Sequence, residues 1–167
     1  MRTVLLSMCC VAAIAVWSFA RSENPKPDPL SSMKALIGTW EMEKPGPDGQ
    51  TGSTVEFKVT SAGNTIMETM FPGSDHEMIN MYHMNGDDMI VTHYCAMGVQ
   101  PRMKLVKSED GVLRFEFFDC TNLPSRDSGH MDSLELTIKG DKLTEDWTFY
   151  QDGKVTQHTK FDLKRKA

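Results

Sequence analysis

In Thr54–Thr60 the apolar residues Val55, Phe57 and Val59 alternate with Glu56, Lys58 and Thr60, so the two kinds fall on opposite faces of an extended chain. The same period of two recurs where Leu113, Phe115 and Phe117 oppose Arg114 and Glu116, and where Leu134, Leu136 and Ile138 oppose Glu135, Thr137 and Lys139. Such alternation marks strands with one face buried and one in water. Ten runs are predicted: Thr39–Lys44, Ser53–Thr60, Asn64–Met70, Glu77–Met84, Asp88–Cys95, Arg102–Lys107, Val112–Asp119, His130–Ile138, Lys142–Tyr150 and Lys154–Lys164. Turn signals separate them at regular spacing, among them Asn85-Gly86-Asp87, Glu109-Asp110-Gly111, Gly140-Asp141 and Asp152-Gly153. The one helix expected lies before the first run. Asp28 suits a cap, Pro29 a first helical position and Gly38 a stop, which leaves two turns between them.

Ten amphipathic strands joined by short hairpins would leave two bare edges if the sheet stayed open. Closure removes both, and short loops favour a meander over a Greek key. The expected fold is therefore an all-β, ten-stranded antiparallel up-and-down barrel with a short N-terminal helix.

The segment Leu36 to Met42, LIGTWEM, resembles the opening of the calycins, the group of lipocalins and fatty-acid-binding proteins. In that group a short helix leads into Gly-x-Trp on the first strand, the Trp closes the barrel floor, and a basic residue of the last strand covers it. The resemblance assigns those parts to Gly38, Trp40 and either Arg165 or Lys164. The middle of the chain, with HEMINMYHM and THYCAMGVQPRM, also resembles bacterial secreted calycin-like domains of unknown function. It implies a fold, not an activity.

The first twenty residues change the picture of where the protein works. Arg2, the apolar run Val4 to Phe19 and the small-x-small triplet Ser18-Phe19-Ala20 form the pattern of a secretory signal peptide. Cys9 and Cys10 do not fit a lipid attachment site, because Met8 stands where a small residue is expected and most of the apolar segment follows them. Residues 21–29 read as a polar, Pro-rich linker and 30–167 as a single barrel domain in a secreted or periplasmic protein. With the leader gone, 17 basic residues face 23 acidic ones, a formal charge of −6, and no basic stripe suggests nucleic acid. No later segment is long and apolar enough for a membrane helix.

Candidate chemistry gathers on the fourth and fifth runs. The Asn85-Gly86 turn fixes their register. Met78, Asn80, Tyr82, Met84, Met89, Val91, His93 and Cys95 then share one face, with Glu77, Ile79, Met81, His83, Ile90, Thr92 and Tyr94 on the other. The first face is taken as interior, since it has the longer row of large side chains and leaves Glu77 and His83 in solvent. Parity from Leu134 and Leu136 brings His130 and Asp132 inward, and parity from Ile66 and Met70 brings Glu68 inward. Buried polar groups need partners or a ligand. The expected ligand-binding set is His93, Cys95, Arg102, His130, Glu68 and Tyr82, with Arg102 at the rim facing an anionic head group or paired with Asp119 or Asp127. Trp147, Phe149 and Phe161 would line the wall.

Three functions fit this set. The first is binding of a small, partly apolar molecule inside the barrel. The second is a hydrolase or isomerase using His93, His130 and Cys95 or Glu68. The third is a packed barrel without ligand. A reactive Cys95 needs an activated thiolate, and its rival is a disulfide with Cys120. Two strand spacings, roughly 9.5 Å, separate the ends of the fifth and seventh strands, so that bridge needs the loop after Asp119 to bend back. No metal or cofactor is assigned. Two histidines, a cysteine and carboxylates have zinc or copper chemistry, but at no standard spacing. The eleven methionines outside the leader, Met78 and Met131 among them, would suit Cu(I) without forming a compact repeat. Heme through His93 or His130 is implied only by calycin-like heme proteins. The oligomeric state is not legible.

Overall fold

Each strand pairs antiparallel with its neighbour in sequence, and the first pairs with the last, so the sheet has no free edge. The computed structural model describes residues 29–46, 49 and 51–167. The expected signal peptide and the linker as far as Asp28 lie outside the described residues. A short helix α1 (Pro29–Met33) runs into a 3₁₀ turn (Lys34–Leu36). The strands are β1 (Gly38–Met42), β2 (Thr54–Thr60), β3 (Thr65–Met70), β4 (Met78–Asn85), β5 (Asp88–Tyr94), β6 (Gln100–Glu109), β7 (Val112–Thr121), β8 (His130–Lys139), β9 (Lys142–Gln151) and β10 (Lys154–Arg165). All ten expected runs are strands. Cys95 falls just past β5, because Gly98 at φ +79° turns the chain and donates its N–H to the Cys95 carbonyl at 2.9 Å.

One end of the barrel is plugged. Trp40 is fully buried, and its indole N–H donates to the Leu36 carbonyl at 2.7 Å. The Arg165 guanidinium lies 4.3 Å from the Trp40 ring centroid and donates to the carbonyls of Ala35 (2.7 Å) and Ile37 (3.0 Å). It thereby ties the end of β10 to the helical segment. Lys164 instead approaches Glu41 on the surface. Gly38 is required here, since its φ of +122° is open to glycine and a Cβ would stand 3.4 Å from Arg165 Nη1.

One irregularity decides what faces the interior. On the β8–β9 ladder Ser133 pairs with Thr148 and Met131 with Phe149, which leaves Asp132 unpaired in a bulge. An extra residue inverts the parity of everything beyond it. Met131, not His130, therefore follows Leu134 and Leu136 onto the inner face. The expectation that His130 and Asp132 point inward assumed an unbroken strand, and the bulge overturns it.

Candidate functional site

Four of the five buried polar or charged side chains among the described residues form one layer across the barrel. Glu68 lies between Ile66 and Met70 on β3, so period two turns it inward. On the ladders Glu68 pairs with Asn80 and Asn80 with His93, which sets three polar side chains in a row across β3, β4 and β5. Glu145 enters from β9, two residues before Trp147. Glu68, Asn80, His93 and Glu145 are all 0–1 % exposed. Tyr82 donates its hydroxyl to Glu68 Oε2 at 2.5 Å, and its ring meets Phe115 edge-on at 5.7 Å. The Trp147 indole N–H donates to Glu145 Oε2 at 3.3 Å, and the His93 ring lies 5.0 Å from that indole.

Burial governs the titration of this layer. It raises Glu68 to about 7, opposed by hydrogen-bond donors at Tyr82 and, more loosely, Asn80 and Glu145. Burial followed by the Glu68 charge raises Glu145 well above its ordinary range. Two carboxyls this close cannot both ionise cheaply in a dry interior, so the pair holds a proton at neutral pH. Burial lowers His93 to about 4, so its imidazole is neutral.

The neutral ring has a definite tautomer. Its Nδ1 lies 2.6 Å from Asn80 Oδ1, which only accepts, so Nδ1 carries the hydrogen. Asn80 pairs with Glu68 across β3 and β4, but its Nδ2 makes no hydrogen bond. The hydrogen on Nδ1 leaves His93 Nε2 as a bare lone pair, buried and without a partner. Glu68 Oε1 and Glu145 Oε1 also have no hydrogen-bond partner.

Above this layer is a pocket of about 230 Å³, lined by His93, Trp147, Met70, Phe71, Met78, Met131, Phe161, Gln157 and Thr159. Met70 ends β3, Met78 begins β4, His93 is near the end of β5 and Met131 is near the start of β8, which places the pocket opposite the Trp40 plug. Its walls are aromatic and thioether, and His93 is its one titratable lining residue.

Of the ligand-binding set read from the sequence, Glu68, Tyr82 and His93 meet in the interior layer, and the other three lie elsewhere. His130 is fully buried but satisfied. Its Nδ1 donates to the Ser128 carbonyl at 2.6 Å, and its Nε2 accepts from Arg126. Arg126 also binds Asp132 and stands over the rings of Phe117 (4.2 Å) and Tyr150 (3.8 Å). Arg102 forms a two-pronged, half-exposed pair with Asp119, one of the two ion-pair partners expected for it. Cys95 and Cys120 are free thiols, so the bridge is not made. Burial pushes the Cys95 thiol up, against a weaker lowering by the Met97 backbone, the wrong direction for a nucleophile at neutral pH.

Asn80, Glu145, Met70 and Met131 belong to the site but are not in the ligand-binding set read from the sequence, although the sequence places Asn80 on the inner face and Met131 among the methionines suited to Cu(I). Parity with Trp147 carried the signal for Glu145, and parity with Tyr82 the signal for Asn80. The inward turn of Met131 had none, because it depends on the bulge at Asp132. No protein-family model and no curated protein matches the chain.

Proposed function

We propose that this is an exported binding protein of calycin type whose barrel takes a small, partly apolar molecule into the His93 pocket. The Gly-x-Trp opening, the Arg165 cover and the meander support the calycin reading, and the Arg2–Ala20 pattern supports export. The observation that carries the binding reading is that His93, which lines an apolar pocket, holds a buried Nε2 without a partner. A buried acceptor left without a partner costs about 1–3 kcal/mol. A guest that donates one hydrogen bond there recovers that loss.

The chemistry of His93 selects the guest. Nε2 accepts, so the guest must donate. No lysine or arginine lines the pocket and two buried carboxyls lie behind it, so an anion is disfavoured. About 230 Å³ suits a single-ring molecule. Phenol, toluene and benzoate test this, being alike in size and different in head group. Calorimetric titration should rank phenol above toluene by about tenfold, the value of one good hydrogen bond, with benzoate weakest. In His93→Phe, phenol should lose its lead over toluene. Equal affinities of phenol and toluene for the native protein would refute the proposal.

A further inference from the structure

The pocket lining has a second chemical character. Met70 and Met78 are register partners on β3 and β4, Met131 enters from β8 through the bulge, and all three share the pocket with His93. We propose that the pocket is also a site for a soft monovalent metal ion, Cu(I), bound by Nε2 of His93 and the thioethers of Met70, Met78 and Met131. The inference rests on the pocket being open, as the binding reading requires. It uses the same nitrogen as a phenolic guest, so the two occupants exclude one another.

Each donor fits a soft ion. Thioethers and a neutral imidazole are ligands that select Cu(I), whereas carboxylate and water suit harder ions. The His93 nitrogen is already free of its proton and held in one tautomer by Asn80, so no deprotonation is needed. Met70 is 1 % exposed, and Phe71 and Phe161 meet edge-on at 5.5 Å beside it, which favours a single charge over a double one. The Trp147 indole lines the same pocket, with its ring centroid 5.0 Å from that of His93. No cluster of three or more His, Cys, Asp or Glu able to hold a metal exists among the described residues, so a zinc-type donor set is not offered.

The test is an anaerobic titration of the purified full chain against the Cu(I)–bicinchoninate complex, read by loss of the chelate's colour, with phenol binding measured on the same samples. The protein should withdraw one equivalent of Cu(I), and excess Zn(II) should not restore the chelate. Met131→Leu, a near-equal volume that keeps the wall apolar, should weaken Cu(I) by at least about tenfold. His93→Gln should weaken both. The double variant Cys95→Ser, Cys120→Ser should withdraw copper as the native chain does. If the folded protein binds phenol but leaves Cu(I) on the chelator, the metal site is wrong and the pocket stands. If it binds neither, the pocket reading falls as well. Loss of copper in the double cysteine variant, or none in Met131→Leu, would place the metal on other donors and overturn the assignment.

Discussion

Two titratable environments oppose each other within a few residues. His93, held neutral with its value lowered to about 4, contributes stability that is complete above its unfolded value near 6.5 and is lost as the pH falls toward 4. Glu68, raised to about 7, works the other way. Its contribution is complete below about 4.5 and is lost as the pH rises through 7, because the folded state holds a proton that the unfolded chain releases. The two windows overlap between 4.5 and 6.5, so stability should peak in mildly acidic solution and decline by roughly 1.4 kcal/mol per pH unit for each proton held. Glu145→Gln removes one of the paired carboxyls and keeps the shape. Thermal melts should find this variant more stable than the native protein at pH 8, with the gain shrinking toward pH 5. A gain that does not change with pH would show that the two carboxyls do not share a proton. Glu68 was legible from its place between Ile66 and Met70. Its pairing with Glu145 was not, since only closure of the barrel brings β9 to face β3.

At the scale of elements, the helical segment before β1 does more than lead into the barrel. It supplies the Leu36 carbonyl that accepts from Trp40 and the carbonyls that hold Arg165, so first and last elements close one end together. Trp40→Ala should cost about 3–5 kcal/mol in denaturant unfolding, as for other buried large-to-small changes. Trp40→Phe should cost less, losing mainly the hydrogen bond. If Trp40→Ala unfolds at the native midpoint, the plug does not contribute. This end could be read ahead of the structure because its parts are local: a short helical segment, a glycine and a tryptophan two residues later. The opposite end could not. Its shape depends on the Asp132 bulge and on the loop that brings Arg126 over His130, and no repeat or spacing encodes either. Arg126→Ala should therefore leave His130 Nε2 without its donor and lower the melting temperature, with phenol affinity unchanged because the pocket lies on the other face of β8. A loss of phenol binding at full stability would place Arg126 in the binding site after all.

For the molecule as a whole, closure is a property of all ten strands at once. β10 pairs with both β9 and β1 and carries Phe161, Leu163 and Arg165, so it is a wall of the core and the last link of the ring. Truncation after Gln151 removes it and leaves β1 and β9 with bare edges. The truncated chain should show no cooperative unfolding transition by circular dichroism, while the full chain shows one. A cooperative transition in the truncated form would mean that an open nine-stranded sheet is stable alone. The alternation of ten runs made the ring readable, because each strand needs one wet and one dry face. The contents of the ring were only partly readable. Period two says which residues face inward, but whether they fill the space or leave a pocket depends on side-chain volumes across strands far apart in sequence. Among the described residues no helix is long and apolar enough to cross a membrane.

The central claim is that His93 presents a bare, neutral Nε2 to an occupant of the barrel. Long-range proton–nitrogen NMR of the imidazole during a phenol titration at neutral pH tests it most directly. The account predicts that His93 is in the Nδ1–H tautomer before phenol is added, and that its Nε2 resonance, alone among the histidine nitrogens, moves to saturation as phenol binds. A ring already protonated at Nε2, or an Nε2 resonance that ignores bound phenol, would contradict it.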